Sequence, residues 1–403
     1  MNINKQVEYL MLGTEYGDDS LKQAMADELR QRLQEAEKEK RPLRIYCGYD
    51  PRKADLHLGH TITMRKLRQF QELGHTVIFL IGNYTSLIGD PSDKDKLRPQ
   101  LSAEEIAANG QTYADQAFRI LDPQKTEVRY NAEWLSKLTF AELIRLASNF
   151  TVQQFISREN FRLRWDAGDA VYVHELFYAI MQGYDAYALK CDVQIGGTDQ
   201  LFNIVTAARK IMTYLGAKPN IGVILGILPG TDGEVKMSKS LGNHIPINTD
   251  AADMYGKVMS IPDKAMPSYF RLATRWHPEQ IQKVEKDLQE NSLHPRDAKM
   301  KLAWEIAASF YGDEDANKAQ DAFVRTFQQK DMPESMPEMA LEGGLTVVDA
   351  LIKLGFAVSK SEARRLVDQN GVRFEGQVIS EGTQRLSMPG VLQAGKRHFA
   401  RLK

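Results

Sequence analysis

The stretch YCGYDPRKADLHLGH, residues 46–60, decides the fold of this chain. The short, β-compatible residues at 44–49 predict a strand, in which Gly48 permits close approach of another group to the backbone. The Asp-Pro pair at 50–51 ends that strand. A helix is then predicted over 56–73, and its first free N–H groups face the turn. The order strand, turn and helix N-terminus is typical of a site that accepts phosphate.

Two histidines add chemistry to this corner. His57 and His60 lie on one face of the predicted helix, where their imidazoles can donate hydrogen bonds to phosphoryl oxygens. Gly59 lies between them and has no side chain that would block a flat group. The pattern HLGH is short, and two ordinary histidines on an amphipathic helix are the alternative interpretation.

A second motif lies far downstream, in VKMSKSL at 235–241, after a Pro-Gly-Thr-Asp-Gly turn. Lys236 and Lys239 form a cationic loop that can close over a pentacoordinate phosphorus and its leaving pyrophosphate. Taken alone, two lysines in a loop indicate solvated surface charge. Together with HLGH in the same chain, they favour a nucleotide site.

Composition places the chain among globular proteins with full hydrophobic cores. It has 403 residues, of which 43% are apolar, and a net charge of −1. The length predicts two or three domains. The near-neutral charge means that a nucleic-acid partner would be held by local basic patches. The N-terminus has no basic-then-apolar leader, and no apolar run of about 18 residues predicts a membrane span.

The two cysteines, Cys47 and Cys191, lie in separate apolar runs and in no Cys/His cluster. This pattern predicts reduced thiols, a cytoplasmic location and no metal bound by protein ligands.

Strand-like and helix-like patterns alternate through the first half of the chain. A polar helix over 20–40 precedes strands at 44–49, 76–82 and 126–131, with a helical stretch over 102–121 between the last two. Such alternation predicts an α/β fold, a Rossmann-like doubly wound parallel sheet. Ligands bind such sheets outside the carboxyl ends of the strands, which is where the motifs fall.

The second half predicts a helical domain and then a small basic α+β module. The expected domains are an N-terminal helical segment (1–40), the Rossmann-like domain (41–232), the lysine loop (233–247), an α-helical domain (248–330), a linker (331–342) and a basic C-terminal domain (343–403). The last of these has a net charge of +5. It reads as helix, helix, Asn-Gly turn and one strand over 372–379.

Four residues of this module are candidates for binding RNA phosphates. Ser359, Lys360, Arg364 and Arg365 lie near the start of the second predicted helix, a suitable site for phosphate groups. A solvated charged face is the alternative interpretation.

The pair HLGH and KMSKS resembles the signature of class I aminoacyl-tRNA synthetases. From Leu43 onward the chain resembles the bacterial tyrosyl-tRNA synthetases that retain KMSKS, and the segment 345–379 resembles the αL-type RNA-binding module. The resemblance implies activation of L-tyrosine with ATP, with Mg²⁺ arriving on ATP, and transfer to the 3′-terminal ribose of tRNA(Tyr). It also implies a homodimer.

A tyrosine pocket must pair a phenol hydroxyl and hold an α-ammonium. Tyr46 and Asp185 are the candidates for the phenol. Tyr178, Gln182 and Asp185 are spaced to lie on one helical face. The resemblance implies that Tyr178, Gln182 and Asp90 surround the ammonium.

Several residues are candidates for binding ATP or the substrate near it. Gly48 lets adenosine lie against the backbone, and the run QIGGTDQ at 194–200 follows an apolar strand. Asp199 can accept from ribose hydroxyls, and Gln194 and Gln200 can bind substrate, with Gln194 assigned to tyrosine. The ATP-binding set is Gly48, Asp50, His57, His60, Gly196, Gly197, Asp199, Gln200, Lys236 and Lys239.

The chain departs from the family after Asp-Pro, where it has Arg52 in place of the usual threonine. We hypothesise that Arg52 replaces that hydroxyl with a charge-assisted contact to the β- and γ-phosphates.

Three alternatives to the tyrosine enzyme stay open at this point. A tryptophanyl-tRNA synthetase would share both signatures, a small-molecule adenylyltransferase would use HxGH, and a non-catalytic RNA-binding protein could be built on the same scaffold.

Overall fold

The computed structural model of the chain describes residues 1–51, 56–91, 102–327, 336–341, 345–386, 388–395 and 398–403. These residues form two compact units, 1–316 and 317–403. The first unit contains both motifs, so the finer domain boundaries predicted within it stay a prediction.

A five-stranded parallel sheet forms the centre of the first unit. Its strands are β1 (Arg44–Tyr49), β2 (Thr76–Ile81), β3 (Thr126–Tyr130), β4 (Val193–Gly197) and β5 (Ile221–Leu225). They are arranged in the order β3-β2-β1-β4-β5. The predicted doubly wound parallel sheet is therefore confirmed.

The strands β2 and β5 read as continuous apolar runs because both faces of the sheet are covered. Every residue of β5 is buried, and so are Val77 to Ile81 of β2. In β1, Ile45 and Tyr46 are fully buried, whereas Gly48 is exposed. The exposed glycine marks the end of the sheet at which a ligand can reach the backbone.

The helices of the first half are α1 (Ile3–Met11), α2 (Asp19–Glu39), α3 (Leu58–Glu72), α4 (Ala103–Ala117), α5 (Ala132–Leu135), α6 (Phe140–Ala147), α7 (Val152–Ile156), α8 (Glu159–Asp166), α9 (Val173–Ala188) and α10 (Arg209–Tyr214). A π-helix, Phe202–Ala208, precedes α10. The predicted helices over 20–40 and 56–73 correspond to α2 and α3. Helix α3 begins at Leu58 because His57 is its N-cap, with extended backbone angles.

Strand order explains where a ligand can bind. The chain runs from β1 outward through β2 to β3, then crosses to the other side of β1 for β4 and β5. The connections therefore diverge between β1 and β4, which leaves a crevice at their carboxyl ends. Tyr49 and Gly197 end these two strands, so Gly48 and the Gly196-Gly197 pair lie beside this crevice.

Residues 250–327 are helical, as predicted. This region contains α11 (Ala251–Met259), α12 (Met266–Ala273), α13 (Pro278–Gln289), α14 (Pro295–Tyr311) and α15 (Asp313–Phe327). Helices α11 and α14 bury Met254, Tyr255, Leu302 and Ile306 completely.

The second unit contains α16 (Val347–Lys353), α17 (Lys360–Asp368), β6 (Glu338–Met339), β7 (Val372–Phe374), β8 (Gln377–Val378), β9 (Gly390–Ala394) and β10 (His398–Leu402). The strands form one sheet in the order β6-β10-β9-β7-β8. Its core includes Leu351, Val372 and Leu392, all fully buried.

Two predictions for this unit are corrected. The single strand expected over 372–379 is a hairpin, because Glu375 and Gly376 have φ of 50° and 78° and form a tight turn between β7 and β8. The predicted linker contains β6, whose Glu338 and Met339 pair in parallel with β10. The Asn370-Gly371 turn lies where it was predicted, with Asn370 at φ 56°.

Candidate active site

A cavity of about 570 Å³ opens at the carboxyl ends of β1 and β4. Residues from both motifs line it, although the motifs lie far apart in the sequence. The cavity is therefore the point at which the HLGH helix and the KMSKS loop meet.

Most of the predicted residues lie together in this cavity. Those that line it are Tyr46, Gly48, Asp50, His57, His60, Asp90, Tyr178, Gln182, Asp185, Gly196, Gly197, Asp199, Gln200, Lys236 and Lys239. Gln194 does not line the cavity: this side chain is buried within the sheet, and its Oε1 accepts from Asn220 Nδ2 at 3.2 Å. Its assignment to tyrosine stays a prediction. Arg52 lies outside the described residues.

The first turn of α3 brings the two imidazoles together. The backbone N–H of His57 donates to Nδ1 of His60 at 3.1 Å, and the ring centroids are 3.7 Å apart. Burial is the main reason why the pKa of His57 falls to about 2, and the neighbouring His60, His244 and lysines lower it further. His57 is therefore neutral near pH 7 and can contribute a hydrogen bond, but not a positive charge.

The lysine loop is docked on the same helix end. Met237 is buried, and its Sδ accepts from the backbone N–H of Gly59 at 3.3 Å. Leu58 N–H donates to the carbonyl of Ile245 at 2.8 Å. A Cβ at Gly59 would lie 3.1 Å from the His57 ring and 3.3 Å from the Met237 Cβ, so only glycine allows this contact without displacement.

The two lysines reach the cavity from this loop. Lys236 Nζ lies 3.8 Å from Asp199 Oδ2, and both side chains are partly exposed. Lys239 begins a short 3₁₀ turn, Lys239–Leu241, that Gly242 ends in the left-handed conformation. The loop thus presents ammonium groups on the side of the cavity where Asp199 lies.

The inner end of the cavity is built around Asp185, which is buried on α9. Its carboxylate accepts from Trp134 Nε1 at 2.7 Å and from Asn131 Nδ2 at 3.2 Å. Burial raises its pKa to about 8, although these two hydrogen bonds lower it. Tyr46 Oη donates to the Gln182 carbonyl at 3.3 Å. This end of the cavity offers a slot for an aromatic ring with a polar group at its tip.

Asp50 and Tyr178 are joined, which the sequence did not indicate. Tyr178 Oη donates to Asp50 Oδ2 at 3.0 Å, and Thr85 Oγ1 donates to Asp50 Oδ1 at 2.8 Å. A Cβ at Gly82 would lie 2.2 Å from that same Oδ1. Gly82 therefore leaves the space that the Asp50 carboxylate needs.

A chain of amides connects the two sides of the cavity. Asn203, in the π-helix, donates from Nδ2 to Gln200 Oε1 at 3.0 Å. Gln200 Nε2 in turn donates to Asp90 and, at 3.4 Å, to Asp199. The acceptor position of Gln200 is taken by Asn203, so its NH₂ group faces the carboxylates. The Gln182 Oε1 has no hydrogen-bond partner among the described residues and is buried, which suits a cationic donor.

Sequence reasoning missed the supporting residues Thr85, Asn131, Trp134 and Asn203. Each contacts a predicted residue through a polar side chain, but none belongs to a recognisable motif. An Asn-Ala-Glu-Trp run directly after β3 was the only signal, because polar residues at a strand's carboxyl end face the ligand crevice. Cys47, expected only as a reduced thiol, also lines the cavity.

The four RNA-binding candidates lie in the second unit, at and after the N-terminus of α17. Ser359 is the N-cap and accepts from the Glu362 N–H at 3.2 Å. Lys360, Arg364 and Arg365 are exposed. Ala363 and Val367 bury the opposite face of the helix. The basic side chains are thus available to an anionic partner.

The described residues include no group of three or more His, Cys, Asp or Glu side chains arranged to hold a metal ion. Within the same ranges, no helix is long and apolar enough to cross a membrane.

Solved structures of known proteins share this fold. A tyrosyl-tRNA synthetase from Archaeoglobus fulgidus, complexed with L-tyrosine, matches 79% of this chain and all of its own with a TM-score of 0.59 and 22% identity. A C-terminally truncated mitochondrial tyrosyl-tRNA synthetase from Aspergillus nidulans matches 81% of this chain and 94% of its own, with a TM-score of 0.63 and 24% identity.

Sequence comparisons give the family. Residues 38–328 match the family described as tRNA synthetases class I (W and Y). The chain is 46% identical over 367 residues to a tyrosine--tRNA ligase of Thermotoga maritima, with 91% of each chain covered. It is 42% identical over 402 residues to tyrosine--tRNA ligase 2 of Clostridium acetobutylicum, and this match covers 100% of this chain and 99% of the other. The resemblance carried by HLGH and KMSKS is thereby confirmed, and the chain belongs to the class I tRNA synthetases, in the family of the tyrosine--tRNA ligases.

Proposed function

We propose that this enzyme activates L-tyrosine with ATP and then esterifies tRNA(Tyr). In the first step a carboxylate oxygen of tyrosine attacks the α-phosphorus of ATP, and the bond to the β-phosphate breaks to release pyrophosphate. In the second step a hydroxyl of the 3′-terminal ribose attacks the carbonyl carbon, and AMP leaves. The observation that carries the proposal is the single cavity that joins the HLGH helix, the KMSKS loop and the slot ending at Asp185.

The slot supports tyrosine as the amino acid. We assign the phenol to Tyr46 and Asp185, and the ammonium to Asp90, Tyr178 and Gln182. A carboxyl group with a raised pKa can donate to or accept from a hydroxyl. Phenylalanine would bring no hydroxyl to Tyr46 and Asp185 and would leave part of their hydrogen-bonding capacity unused, which is unfavourable.

The phosphates are assigned to the two motifs. His57 and His60 donate hydrogen bonds from the helix end, and Lys236 and Lys239 supply positive charge where negative charge develops on the leaving pyrophosphate. Mg²⁺ enters with ATP and adds charge neutralisation. Gly48 leaves room for adenosine, since a Cβ there would meet only Leu80, at 3.8 Å. Gly196 and Gly197 are assigned to the same nucleotide site, which they line. Asp199 accepts hydrogen bonds from the ribose hydroxyls, and Gln200 donates to the substrate through its NH₂ group. Asp50 holds Tyr178 by accepting its hydroxyl hydrogen bond.

A pyrophosphate exchange assay with tyrosine, tryptophan and phenylalanine tests the function. We expect ATP–pyrophosphate exchange with tyrosine alone. Exchange with tryptophan would assign the chain to the other branch of the matched family. Absence of exchange with all three would favour a non-catalytic RNA-binding role.

Arg52 is proposed to take over from the threonine found in most of the family. Arg52→Ala should slow adenylate formation and raise the KM for ATP, because a charge-assisted contact to the β- and γ-phosphates is lost. Lys53→Ala, which removes the neighbouring charge, is the matched control. Unchanged exchange kinetics in Arg52→Ala would refute this role.

We also propose that the enzyme is a cytoplasmic homodimer. Exposed apolar side chains concentrate in the segment 140–173, and a second copy of the chain would cover them. They are Phe140, Ile144, Val152, Leu163, Trp165 and Val173. Sedimentation equilibrium should give a dimer, and Trp165→Asp should shift the population toward the monomer. A wild-type monomer at all concentrations would contradict the proposal. The free thiols of Cys47 and Cys191 support a reducing compartment.

The basic end of α17 is proposed to bind tRNA phosphates through Ser359, Lys360, Arg364 and Arg365. Their exposure, beside a helix N-terminus, supports this assignment.

A further inference from the structure

Asn243 lies inside the lysine loop, on the far side of KMSKS from the preceding turn. It is buried, with 6% of its surface exposed. Its Oδ1 accepts from the backbone N–H of Ser238 at 2.8 Å. Its Nδ2 donates to Asp232 and faces the carbonyls of Val235 and Lys236, each at 3.4 Å. One side chain therefore contacts the backbone on both sides of Met237.

These contacts require an amide. The N–H of Ser238 can only donate, so the atom opposite it must be an acceptor. The two carbonyls and the Asp232 carboxylate can only accept, so the atom opposite them must be a donor. A side chain with both groups at this length is asparagine. An aspartate would place a carboxylate against three oxygens, including another carboxylate.

Neighbouring residues are adapted to the Asn243 side chain. A Cβ at Gly230 would lie 2.3 Å from both Cγ and Nδ2 of Asn243. The Asn243 carbonyl accepts from Thr231 N–H at 2.8 Å, which ties the turn before KMSKS to the segment after it. Asp232 is itself held, because its Oδ1 accepts from the N–H groups of Glu234 and Val235 at 2.8 and 2.9 Å.

The segment that Asn243 holds carries the lysines. Lys236 and Lys239 flank the Met237-Ser238 pair, and Met237 is the residue that docks on Gly59 at the start of α3. A shift of the carbonyl of Lys236 or the N–H of Ser238 would move both ammonium groups relative to the imidazoles. Catalysis by positioned charge loses rate steeply with such displacements.

We propose that Asn243 is a positioning residue for tyrosine activation, one that sets the conformation of the lysine loop through its side-chain amide. The inference rests on the proposed function. Asn243 does not line the cavity. It acts through Lys236 and Lys239, so its loss affects the phosphate-transfer step and not the slot for tyrosine.

The test compares full-length variants in pyrophosphate exchange with saturating tyrosine, together with tyrosine affinity measured by tryptophan fluorescence. Asn243→Asp should lower kcat by at least about tenfold and raise the KM for ATP, while the Kd for tyrosine stays within about twofold. Asn248→Asp is the matched control, because Asn248 is exposed in the same segment. It should behave as the wild type.

A second variant leaves Asn243 in place. Gly230→Ala should displace Asn243, since the added Cβ would lie 2.3 Å from its side-chain amide and 2.7 Å from its backbone carbonyl, whereas Gly230 itself has no positive φ. It should reproduce the fall in kcat with unchanged tyrosine affinity. Gly256→Ala is its control, because a Cβ at Gly256 meets nothing within 4 Å. If Asn243→Asp does not fold, Gly230→Ala decides the question.

Two results would overturn the inference. One is a folded Asn243→Asp or Gly230→Ala enzyme with wild-type kcat and KM for ATP. The other is a loss of tyrosine binding in proportion to the loss of activity, which would indicate a general effect on the fold. A wild-type enzyme inactive with tyrosine would instead overturn the proposed function, so the two failures are distinguishable.

Discussion

Asp185 is the residue whose chemistry depends most on its surroundings. It is buried at the inner end of the slot, and its pKa is raised to about 8 by burial, against an ordinary value of 3.8. Near pH 7 most molecules of the free enzyme therefore carry a neutral carboxyl there. A neutral carboxyl can donate a hydrogen bond to a phenol oxygen, and the ionised form can accept one from the phenol hydroxyl.

The raised pKa of Asp185 also predicts how stability depends on pH. The folded state holds the Asp185 proton more tightly than the unfolded chain does. The contribution of this proton to the free energy of unfolding is therefore complete below about pH 4 and is lost as the pH rises toward 8, at up to about 1.4 kcal/mol per pH unit. Asp185→Asn has no such proton. As the pH rises across this range, the free energy of unfolding of the wild type should fall relative to that of Asp185→Asn. Urea denaturation of both proteins measures this difference. A pH-independent difference would contradict the prediction.

His57 is predicted to act as a neutral hydrogen-bond donor. With its pKa lowered to about 2, chiefly by burial, it does not titrate between pH 6 and 8. His57→Asn keeps an N-cap side chain but alters the imidazole contact, so adenylate formation should slow by about tenfold to a hundredfold with tyrosine affinity retained. Stopped-flow measurement of adenylate formation checks this.

The control for His57 is His294, which caps α14 and accepts from Arg296 N–H. His294→Asn should leave adenylate formation unchanged. If His57→Asn weakens tyrosine binding instead of slowing the reaction, His57 does not belong to the phosphate site.

At the scale of elements, α8 and α9 are joined by a buried ion pair. Arg164 Nη1 and Nη2 donate to the Glu175 carboxylate at 2.7 and 2.9 Å, and both side chains are about 95% buried. Glu175 also accepts from the N–H of Tyr172 at the start of α9. This matters for the site because α9 carries Tyr178, Gln182 and Asp185.

Removing one partner of this ion pair should be costly. Glu175→Ala leaves the Arg164 guanidinium buried without its carboxylate, so we expect a loss of about 3 to 5 kcal/mol in the free energy of unfolding. Glu290→Ala, in the exposed pair with Lys286, should cost less than about 1 kcal/mol. Chemical denaturation of the two variants measures the contrast. Equal losses would show that burial of the Arg164–Glu175 pair is not the deciding factor.

At the scale of the whole molecule, the two units are expected to divide the work. Every described residue that lines the cavity belongs to the first unit, whereas the basic residues at the start of α17 lie in the second. Replacing Lys360, Arg364 and Arg365 together by alanine should leave pyrophosphate exchange unchanged. It should raise the KM for tRNA in aminoacylation, because phosphate contacts are lost.

Salt dependence provides the measurement. Each lost phosphate contact reduces the slope of log affinity against log salt by slightly less than one unit, so the triple variant should have a slope shallower by about two to three. An unchanged KM and slope would place the tRNA contact elsewhere.

Much of the fold was predictable because its signals are local. The strands β1 and β2 are short, largely apolar runs bounded by turn residues, β3 is a short run rich in β-compatible residues, and the region 250–327 has a helical pattern. The hairpin of β7 and β8 was missed, since Glu375 in the left-handed conformation is not a typical turn residue. Strand β6 was missed because Glu338 and Met339 have little strand character and are held by pairing with β10.

The sequence by itself determined the family, the parallel α/β architecture and the two motifs HLGH and KMSKS, because residue type and spacing along the chain encode strands, helix ends and cationic loops. Tertiary structure alone decided which side chains meet. Trp134 and Asn131 reach Asp185, Asn243 reaches the backbone on both sides of Met237, and Gln194 is held by Asn220. These outcomes depend on burial and on hydrogen bonds between distant residues, and no local pattern specifies either.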